Sequence, residues 1–332
     1  MTLRDKKTKM MTESFEQKKK GTLSESELFS FAEYDSSAAE RGGYSNYSYW
    51  RSTLQAFLKN RMAVALLIVI IGILLFTFIQ PFLPGQIPPN LVNNDETGKI
   101  ISNQKPNSQF WFGTNSIGQD LWSRIWSGTR TSLLIGFLVA SIEAVIGITI
   151  GVLWGYVRKL DFILTEIYNV LDNIPNTIVL ILFSYIMRPS IHSLVIAMSI
   201  TGWIAMARFI RNQILIIRDR DYNLASRCLG TPTRRIIIKN LLPYLVSVIM
   251  LRMALAIPAA IGSEVFISYI GLGLPINIPS LGNLISGSRK ILMEAGLRYQ
   301  LVFPTIVMSI VTISFYIIGN AFADAADPKN HV

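Results

Sequence analysis

The chain has 332 residues, of which 51% are hydrophobic and only 16% are charged, whereas soluble domains carry about a quarter charged residues. Several windows exceed the roughly 18 apolar residues that cross a bilayer as a helix, so the composition predicts an all-α polytopic membrane protein and argues against a soluble enzyme. The net charge of +10 is typical of Lys and Arg collected on the cytoplasmic side of a membrane protein and does not indicate nucleic-acid binding.

The numbers of cysteine and histidine residues limit the kinds of site that the chain can form. One cysteine excludes an internal disulfide, and two histidines offer no pair for a metal. The Gly-x-x-x-x-Gly-Lys-Ser/Thr loop that cradles ATP phosphates does not occur in the sequence. We therefore expect the chain itself to hold neither a metal nor a cofactor.

The segment before the first span divides into two parts. Residues 1–43 are rich in Lys, Glu and Ser and lack an apolar core, which predicts a disordered cytoplasmic tail and no cleavable signal peptide. Residues 44–61 carry one apolar stripe at helical spacing, formed by Trp50, Leu54, Phe57 and Leu58. This stripe predicts an interfacial amphipathic helix; the alternative is a plain cytoplasmic extension of the first span.

Six apolar segments then define a transmembrane domain over residues 62–325. They are residues 62–79, 132–156, 162–187, 191–207, 245–269 and 301–323. With the N-terminus inside, inner segments hold 22 Lys and Arg residues and outer segments hold eight. This excess predicts that both termini are cytoplasmic. In this orientation, residues 80–131 and 271–300 form outer loops. The loop 208–244 and the tail 326–332 are cytoplasmic.

The first outer loop ends in a segment rich in Gly and Trp. Gly113 and Gly128 permit turns and close approach, and Asp120 can pair with Arg124 one helical turn later. Two tryptophans four residues apart suit the outer membrane interface. We predict a short amphipathic helix on the outer surface that feeds span two and supports packing rather than contacting a substrate.

Span two carries a face of small residues and one acid. Gly147, Gly151 and Gly155 make two successive Gly-x-x-x-Gly steps, which allow close helix packing. We expect that packing within this chain, with contact to a moving neighbour as the alternative. Glu143 is an intramembrane carboxylate and therefore a candidate functional residue. A proton relay is disfavoured because no second acid lies at helical spacing.

Span three opens with a polar stripe on one helix face. Its members recur at three- and four-residue steps and are Glu166, Asn169, Asn173 and Asn176. A polar face at membrane depth lines water or a protein interface. The stripe therefore predicts the inner mouth of a pathway, while structural hydrogen bonding explains it equally well.

The loop between spans four and five predicts a compact polar element. A short helix follows Asp221, Gly230 can end it in the left-handed conformation, and Thr231 can cap a second helix with Pro232 at its first position. Two short helices at an angle would leave an apolar side exposed, formed by Leu224, Ala225, Cys228 and Leu229. Such a patch predicts a docking site; the alternative is a connector packed on its own spans.

Span five contains a second intramembrane carboxylate, Glu264. Arg252 lies 12 residues earlier in the sequence, about 18 Å along a helix, which is too far for direct pairing. Pro258 stands among five small residues, which predicts a kinked and closely packed span at a translocation axis.

Four segments carry motifs that together resemble one family. Residues 112–136 read FGTNSIGQDLWSRIWSGTRTSLLIG and resemble FGTDxLGRDxxSRxxxGxRxSLxxG; the matching positions include Gly113, Asp120, Arg124, Gly128 and Arg130. Residues 263–285 resemble E-A-x-L-S-F-L-G-L-G…P-S-W-G, and the ending DAADP resembles D-x-x-D-P. Residues 222–243 resemble the Glu-Ala-Ala…Gly…Leu-Pro loop, with Leu224 at the Glu position. These motifs resemble the C-type membrane subunit of oligopeptide and dipeptide ATP-binding-cassette importers, over roughly residues 44–330.

The resemblance implies the type I importer fold with six transmembrane helices, and a non-catalytic pore-forming subunit for oligopeptides in a Gram-positive plasma membrane. The implied partners are a homologous second permease subunit, two ATP-binding subunits that hold ATP and Mg, an extracellular lipid-anchored substrate-binding protein and membrane lipid. Dipeptides, nickel chelates and glutathione are alternative substrates. A stand-alone secondary transporter is the alternative class, although its inverted repeats and midplane ion ligands are not evident.

The resemblance also implies roles for particular residues. The loop residues implied to dock the ATPase are Leu224, Ala225, Ser226, Arg227, Cys228, Gly230, Thr231, Pro232, Arg234 and Arg235. The residues assigned to the translocation pathway or a subunit interface are Glu143, Asn169, Asn173, Asn176, Pro258 and Glu264. Glu264 matches a family Glu and is expected near the subunit interface.

Overall fold

The computed structural model describes residues 49–291 and 293–326, so the predictions for residues 1–43, for residues 44–48 and for the C-terminal residues 327–332 lie outside the described residues. The α-helices are α1 (Tyr49–Lys59), α2 (Arg61–Ile79), α3 (Leu121–Tyr156), α4 (Arg158–Asp172), α5 (Asn176–Ile186), α6 (Ile191–Ile217), α7 (Asp221–Cys228), α8 (Thr233–Ile236), α9 (Leu242–Tyr269), α10 (Leu281–Gly287) and α11 (Tyr299–Ala326). In these ranges the only β-pairing consists of three isolated bridges between residues 92 and 120.

The helices confirm the predicted all-α membrane architecture. Five helical stretches of the described chain are long and apolar enough to cross a membrane, and α4 with α5 passes the same test as one bent span. That pair supplies the sixth predicted span, but it is broken by a bend of 75°. Pro175 causes the break, because its backbone is extended (φ −57°, ψ 122°) and a proline disfavours the helical conformation of the residue before it.

The segment before the first span is a separate helix rather than an extension of that span. α1 ends at Lys59, and the Asn60 side chain caps α2 by accepting the Ala63 N–H at 3.1 Å. Phe57 is buried against Phe322, with ring centroids 6.1 Å apart. Leu54 and Leu58 of the same stripe stay exposed. One residue of the apolar stripe therefore packs on α11, while two others remain exposed.

Span two is longer than predicted and includes the expected outer helix. α3 begins at Leu121, because the Asp120 side chain accepts the Ser123 N–H at 2.9 Å and caps the helix there. The predicted short helix is therefore the first part of α3 itself, and it leads without a break into span two. No helix breaker separates Leu121 from the apolar run, so the helical hydrogen bonds continue into the membrane segment.

The connection between α6 and α9, which was predicted as the cytoplasmic loop 208–244, is shorter in the structure. α6 runs on to Ile217, because Ile210, Ile214 and Ile217 recur on one face and are fully buried. On the other side, α8 continues into α9 through a wide turn at Ile237–Leu241. The wide turn lies where the ring of Pro243 would otherwise meet the carbonyl of residue 239. Of the two predicted short helices, α7 is therefore separate, whereas the second, α8, is continuous with α9.

Glycines of α3 bring it into close contact with α6. A Cβ added at Gly147 would lie 2.6 Å from the Met206 side chain, and one at Gly151 would lie 2.5 Å from the Ala207 carbonyl oxygen. At Gly155 the nearest atom would be Cβ of Ile214 at 2.7 Å. The small-residue face therefore packs within this chain, as predicted.

Glu264 joins three elements near the C-terminal end of α9. Its fully buried carboxylate accepts hydrogen bonds from Ser132 of α3 at 3.1 Å and from Ser268 of α9 at 3.0 Å. Ser280 and the Gly282 N–H, at the start of α10, donate to it at 2.7 and 3.2 Å. The expectation that Glu264 lies near a subunit interface stays a prediction. Within this chain, the converging donors hold the side chain buried.

We expect Gly151→Ala to destabilise the protein by about 1–3 kcal/mol, because an added methyl group forces two closely packed helices apart. Thermal unfolding in detergent micelles measures this loss. Gly72→Ala in α2 is the matched control, since nothing lies within 4 Å of its added Cβ. Equal unfolding midpoints for the two variants would contradict the close α3–α6 contact.

We expect Glu264→Gln to cost about 1–3 kcal/mol, because an amide turns an NH₂ group toward the Gly282 N–H and leaves a buried donor without an acceptor. Chemical unfolding measures the loss, and limited proteolysis of residues 271–300 shows whether the outer segment loosens. Glu166→Gln on exposed α4 is the control. Unchanged stability of Glu264→Gln would show that the network is dispensable.

Candidate functional site

A cavity of about 490 Å³ lies between α3, α5, α6 and α9. Its polar lining comes from one acid, one base and four uncharged residues: Glu143, Arg252, Asn176, Thr177, Thr201 and Ser263. The rest of the wall consists largely of alanine, glycine, methionine and leucine side chains. Such an apolar cavity with a few convergent polar groups is the usual form of a small-molecule site.

Glu143 faces this cavity from α3. Its carboxylate lies against Gly202 of α6, where an added Cβ would be only 1.7 Å from Oε1. The side chain is partly buried. It forms no hydrogen bond or ion pair with any residue in the part of the chain that the structure describes. Gly202 therefore provides the space that Glu143 occupies.

Arg252 faces the same cavity from α9. Its guanidinium lies over the Phe209 ring, 4.7 Å from the centroid, and the side chain is exposed. None of the ion pairs found among the described residues joins it to Glu143 or to Glu264. The cavity thus holds an acid and a base that do not neutralise each other.

The structure separates the residues that were assigned to the pathway. Glu143 and Asn176 line the cavity, whereas Asn169 and Asn173 belong to exposed α4 and to its end. The single polar stripe is wrong, because the bend at Pro175 sends its two halves in different directions. Pro258 is helical but does not line the cavity, although Ala256 and Ala259 on either side of it do.

Sequence reasoning missed the α6 side of the cavity. Thr201 and Gly202 form a small polar pair inside an otherwise apolar span. That pair was the available signal, because a glycine inside a membrane helix marks close approach of a neighbour. The sequence does not show that this neighbour is the carboxylate of Glu143.

The cytoplasmic-loop helix α7 ends as the sequence predicts. Gly230 adopts φ +75°, and its N–H donates to the Arg227 carbonyl at 3.0 Å. The Thr231 N–H donates to the Ser226 carbonyl at 3.0 Å, which completes a Schellman motif. Thr231 does not cap the following helix, however. Pro232 occupies that position in an extended conformation, and α8 begins one residue later.

A network of polar side chains fixes α7 to the ends of the spans. Asn223 is fully buried, donates to the Ile217 carbonyl at 2.8 Å and accepts from Asn240 at 3.1 Å. The Asp219 carboxylate accepts from Arg227 at 2.8 Å and from Arg218 at 3.0 Å. These two hydrogen bonds, that of Arg227 first, hold the pKa of Asp219 below its ordinary value.

The side of α7 that faces away from the spans is exposed to solvent and apolar. Leu229 is 85% exposed, and Tyr222 and Leu224 are exposed as well. Three further members of the predicted docking set are exposed beside them: Ala225, Cys228 and Pro232. Arg227, Arg234 and Arg235 surround this surface with positive charge. This helix is fixed to the ends of the spans and carries an apolar patch that is surrounded by charge. These are the properties of a docking surface.

The outer signature has structural contacts. Arg124 is buried and donates to the Pro89 and Ile276 carbonyls at 3.2 and 2.9 Å, and it thereby joins the two outer loops. It does not pair with Asp120, whose carboxylate instead caps α3 and whose pKa burial raises above its ordinary value.

The other signature residues also pack within the chain. Gly113 has φ +76°, and a Cβ at Gly128 would lie 3.0 Å from the backbone of Ser280. The Arg130 guanidinium lies 5.6 Å from the centroid of the Phe78 ring. The Gly128 contact joins α3 to the loop before α10, and the Arg130 contact joins α3 to α2, so both are packing contacts within the chain.

Two family descriptions match the chain. "Binding-protein-dependent transport system inner membrane component" covers residues 147–332, and "N-terminal TM domain of oligopeptide transport permease C" covers residues 48–106. Among solved structures, a chain of the MetNI methionine ABC transporter in an inward-facing conformation has a TM-score of 0.49 and 22% identity. That match covers 61% of this chain and 96% of the other.

Curated relatives cover nearly the whole chain. The oligopeptide transport system permease protein AmiD of Streptococcus pneumoniae is 41% identical over 92% of this chain and 98% of the relative. The oligopeptide transport system permease protein OppC of Bacillus subtilis is 32% identical over 91% and 97%. The dipeptide transport system permease protein DppC of the same organism is 35% identical over 85% and 86%. This chain belongs to the family of binding-protein-dependent transport system inner membrane components.

Proposed function

We propose that the chain is one of two membrane subunits of an ATP-driven importer and forms half of a pathway for oligopeptides. The observation that carries the proposal is that the same helices serve two surfaces. α3, α6 and α9 wall the cavity. The end of α6 is joined to α3 by Arg218, which donates to the Gly155 carbonyl at 2.7 Å, and to the docking helix α7 by Arg227, which donates to the Arg218 carbonyl at 2.7 Å. The names of relatives such as AmiD and OppC supply the substrate class.

In this proposal the chain performs no chemistry of its own. Two partner ATPases bind ATP and Mg, and one of them docks on α7 through Leu229 and the surrounding arginines. Movement of α7 is transmitted to α6 and α9, because Asn223 bonds to the end of α6 and Asn240 lies at the start of the α9 span. A second membrane subunit completes the pathway, and an extracellular lipid-anchored protein delivers the peptide.

In the proposed orientation the chain crosses the plasma membrane of a Gram-positive bacterium, with both termini and α7 in the cytoplasm. Support comes from the distribution of Lys and Arg along the full sequence, which favours the side that carries α7. Relatives from Streptococcus and Bacillus support the Gram-positive assignment.

We expect Leu229→Asp to abolish docking of the ATPase, because a carboxylate replaces an apolar contact at the centre of the patch. Recovery of the ATPase with tagged permease should fall about tenfold, and peptide uptake should fall with it, while membrane insertion is unchanged. Leu91→Asp is the matched control, as Leu91 is 49% exposed in the outer loop. Normal ATPase recovery with Leu229→Asp would refute docking at this surface.

The single cysteine provides a direct test of orientation. Cys228 is exposed on α7, so a membrane-impermeant maleimide should label it in permeabilised cells and leave it unlabelled in intact ones. Glu96→Cys in a Cys228→Ser background places a thiol in the exposed outer loop and should show the reverse pattern. Labelling of Cys228 in intact cells would invert the proposed topology.

A further inference from the structure

We propose that the cavity holds a peptide in transit by its two charged ends, with Glu143 receiving the N-terminal ammonium group and Arg252 the C-terminal carboxylate. The inference rests on the proposed function and adds the recognition chemistry inside the membrane. The cavity of about 490 Å³ is lined by these two charged residues of opposite sign, which matches the two termini of a zwitterion.

The position of Glu143 calls for a cationic ligand. A carboxylate at membrane depth is costly unless it is paired, and no described residue pairs with Glu143. The fold nevertheless makes room for it, since any side chain at position 202 would overlap Oε1. An ammonium group supplies both the charge and the hydrogen-bond donors that this carboxylate lacks.

Arg252 has complementary properties. Its guanidinium lies 4.7 Å from the centroid of the Phe209 ring and the residue is exposed, so its N–H groups remain able to donate. Arginine is always charged in proteins and binds a carboxylate through two parallel hydrogen bonds. A peptide that spans from Glu143 to Arg252 would therefore satisfy both residues at once.

The remaining walls suit variable side chains. Met198, Met206 and Met253 line the cavity together with small residues. Methionine is flexible and polarisable, so it adapts to ligands of different shape. The two ends of the peptide would be recognised by charge, and its middle would contact an adaptable apolar wall. Such a site would select peptides but would not distinguish among their amino-acid sequences.

The test uses the whole membrane complex in lipid nanodiscs and tetra-alanine as the probe. Saturation-transfer NMR titrations compare tetra-alanine with its des-amino analogue, in which hydrogen replaces the ammonium group. We expect Glu143→Gln to weaken binding of tetra-alanine about tenfold and to leave the des-amino analogue unaffected. Arg252→Gln should act in the same way on tetra-alanine compared with its C-terminal amide.

Gly202→Ala provides a second variant that changes no charge. Its methyl group displaces the Glu143 carboxylate, so it should reproduce the selective loss. Gly72→Ala is the matched control, because Gly72 lies in α2 outside the cavity lining and its added Cβ has nothing within 4 Å. The unfolding midpoint of each variant shows whether that variant is folded. The comparison of tetra-alanine with its des-amino analogue on the unaltered complex tests the inference without any substitution.

Several results would overturn the inference: equal binding of tetra-alanine and its des-amino analogue to the unaltered complex, no binding of either, or equal weakening of both by Glu143→Gln. ATP-driven uptake of tetra-alanine into proteoliposomes tests the proposed function separately. Uptake without end-specific binding would leave the importer and remove the end-recognition site. Absence of uptake of any peptide would remove the importer itself.

Discussion

The buried carboxylate of Glu264 is the interaction on which the outer half of the protein depends. A charge in the interior is tolerated only when hydrogen bonds replace the lost water, and here three serine hydroxyls and one backbone N–H converge on it. Those donors come from α3, α9 and α10, so satisfying one side chain aligns three elements. Ser132 also accepts the Leu281 N–H at 3.0 Å, which joins α3 directly to the start of α10. The relative placement of α3 and α9 determined in this way sets two walls of the cavity.

The contact between α3 and α6 shows how one helix pair produces both a tight seam and an open site. Along α3, Gly151 and Gly155 make room for side chains of α6. At the level of Glu143 the arrangement reverses, and Gly202 of α6 makes room for a side chain of α3. Small residues permit close approach in a membrane, where packing contributes much of the association energy. The reversal places a carboxylate at the cavity wall without separating the two helices.

The inner end of the protein combines a rigid attachment with an exposed surface. α7 is held by buried Asn223 and by the arginines around Asp219, while Leu229 points into solvent. A short helix of eight residues would not be stable alone, so its conformation comes from these attachments and from the Gly230 turn. The motif resemblance puts Leu224 at the position of a Glu, so the proposed docking would depend on apolar fit and on arginine contacts.

The sequence by itself determined the fold class, the number of spans, the Gly230 turn and the family, because each depends on local chemistry. Apolar runs of sufficient length, a glycine with positive φ and contiguous motifs are all readable along the chain. Only the tertiary structure decided which polar residues face one another. Asn169 and Asn176 share a helical stripe in sequence, yet the bend at Pro175 separates them. Glu264 and Glu143 look alike as intramembrane acids, but one is enclosed by four donors and the other opens into a cavity. The difference lies in residues more than a hundred positions apart or on other helices, and no local pattern records those distances.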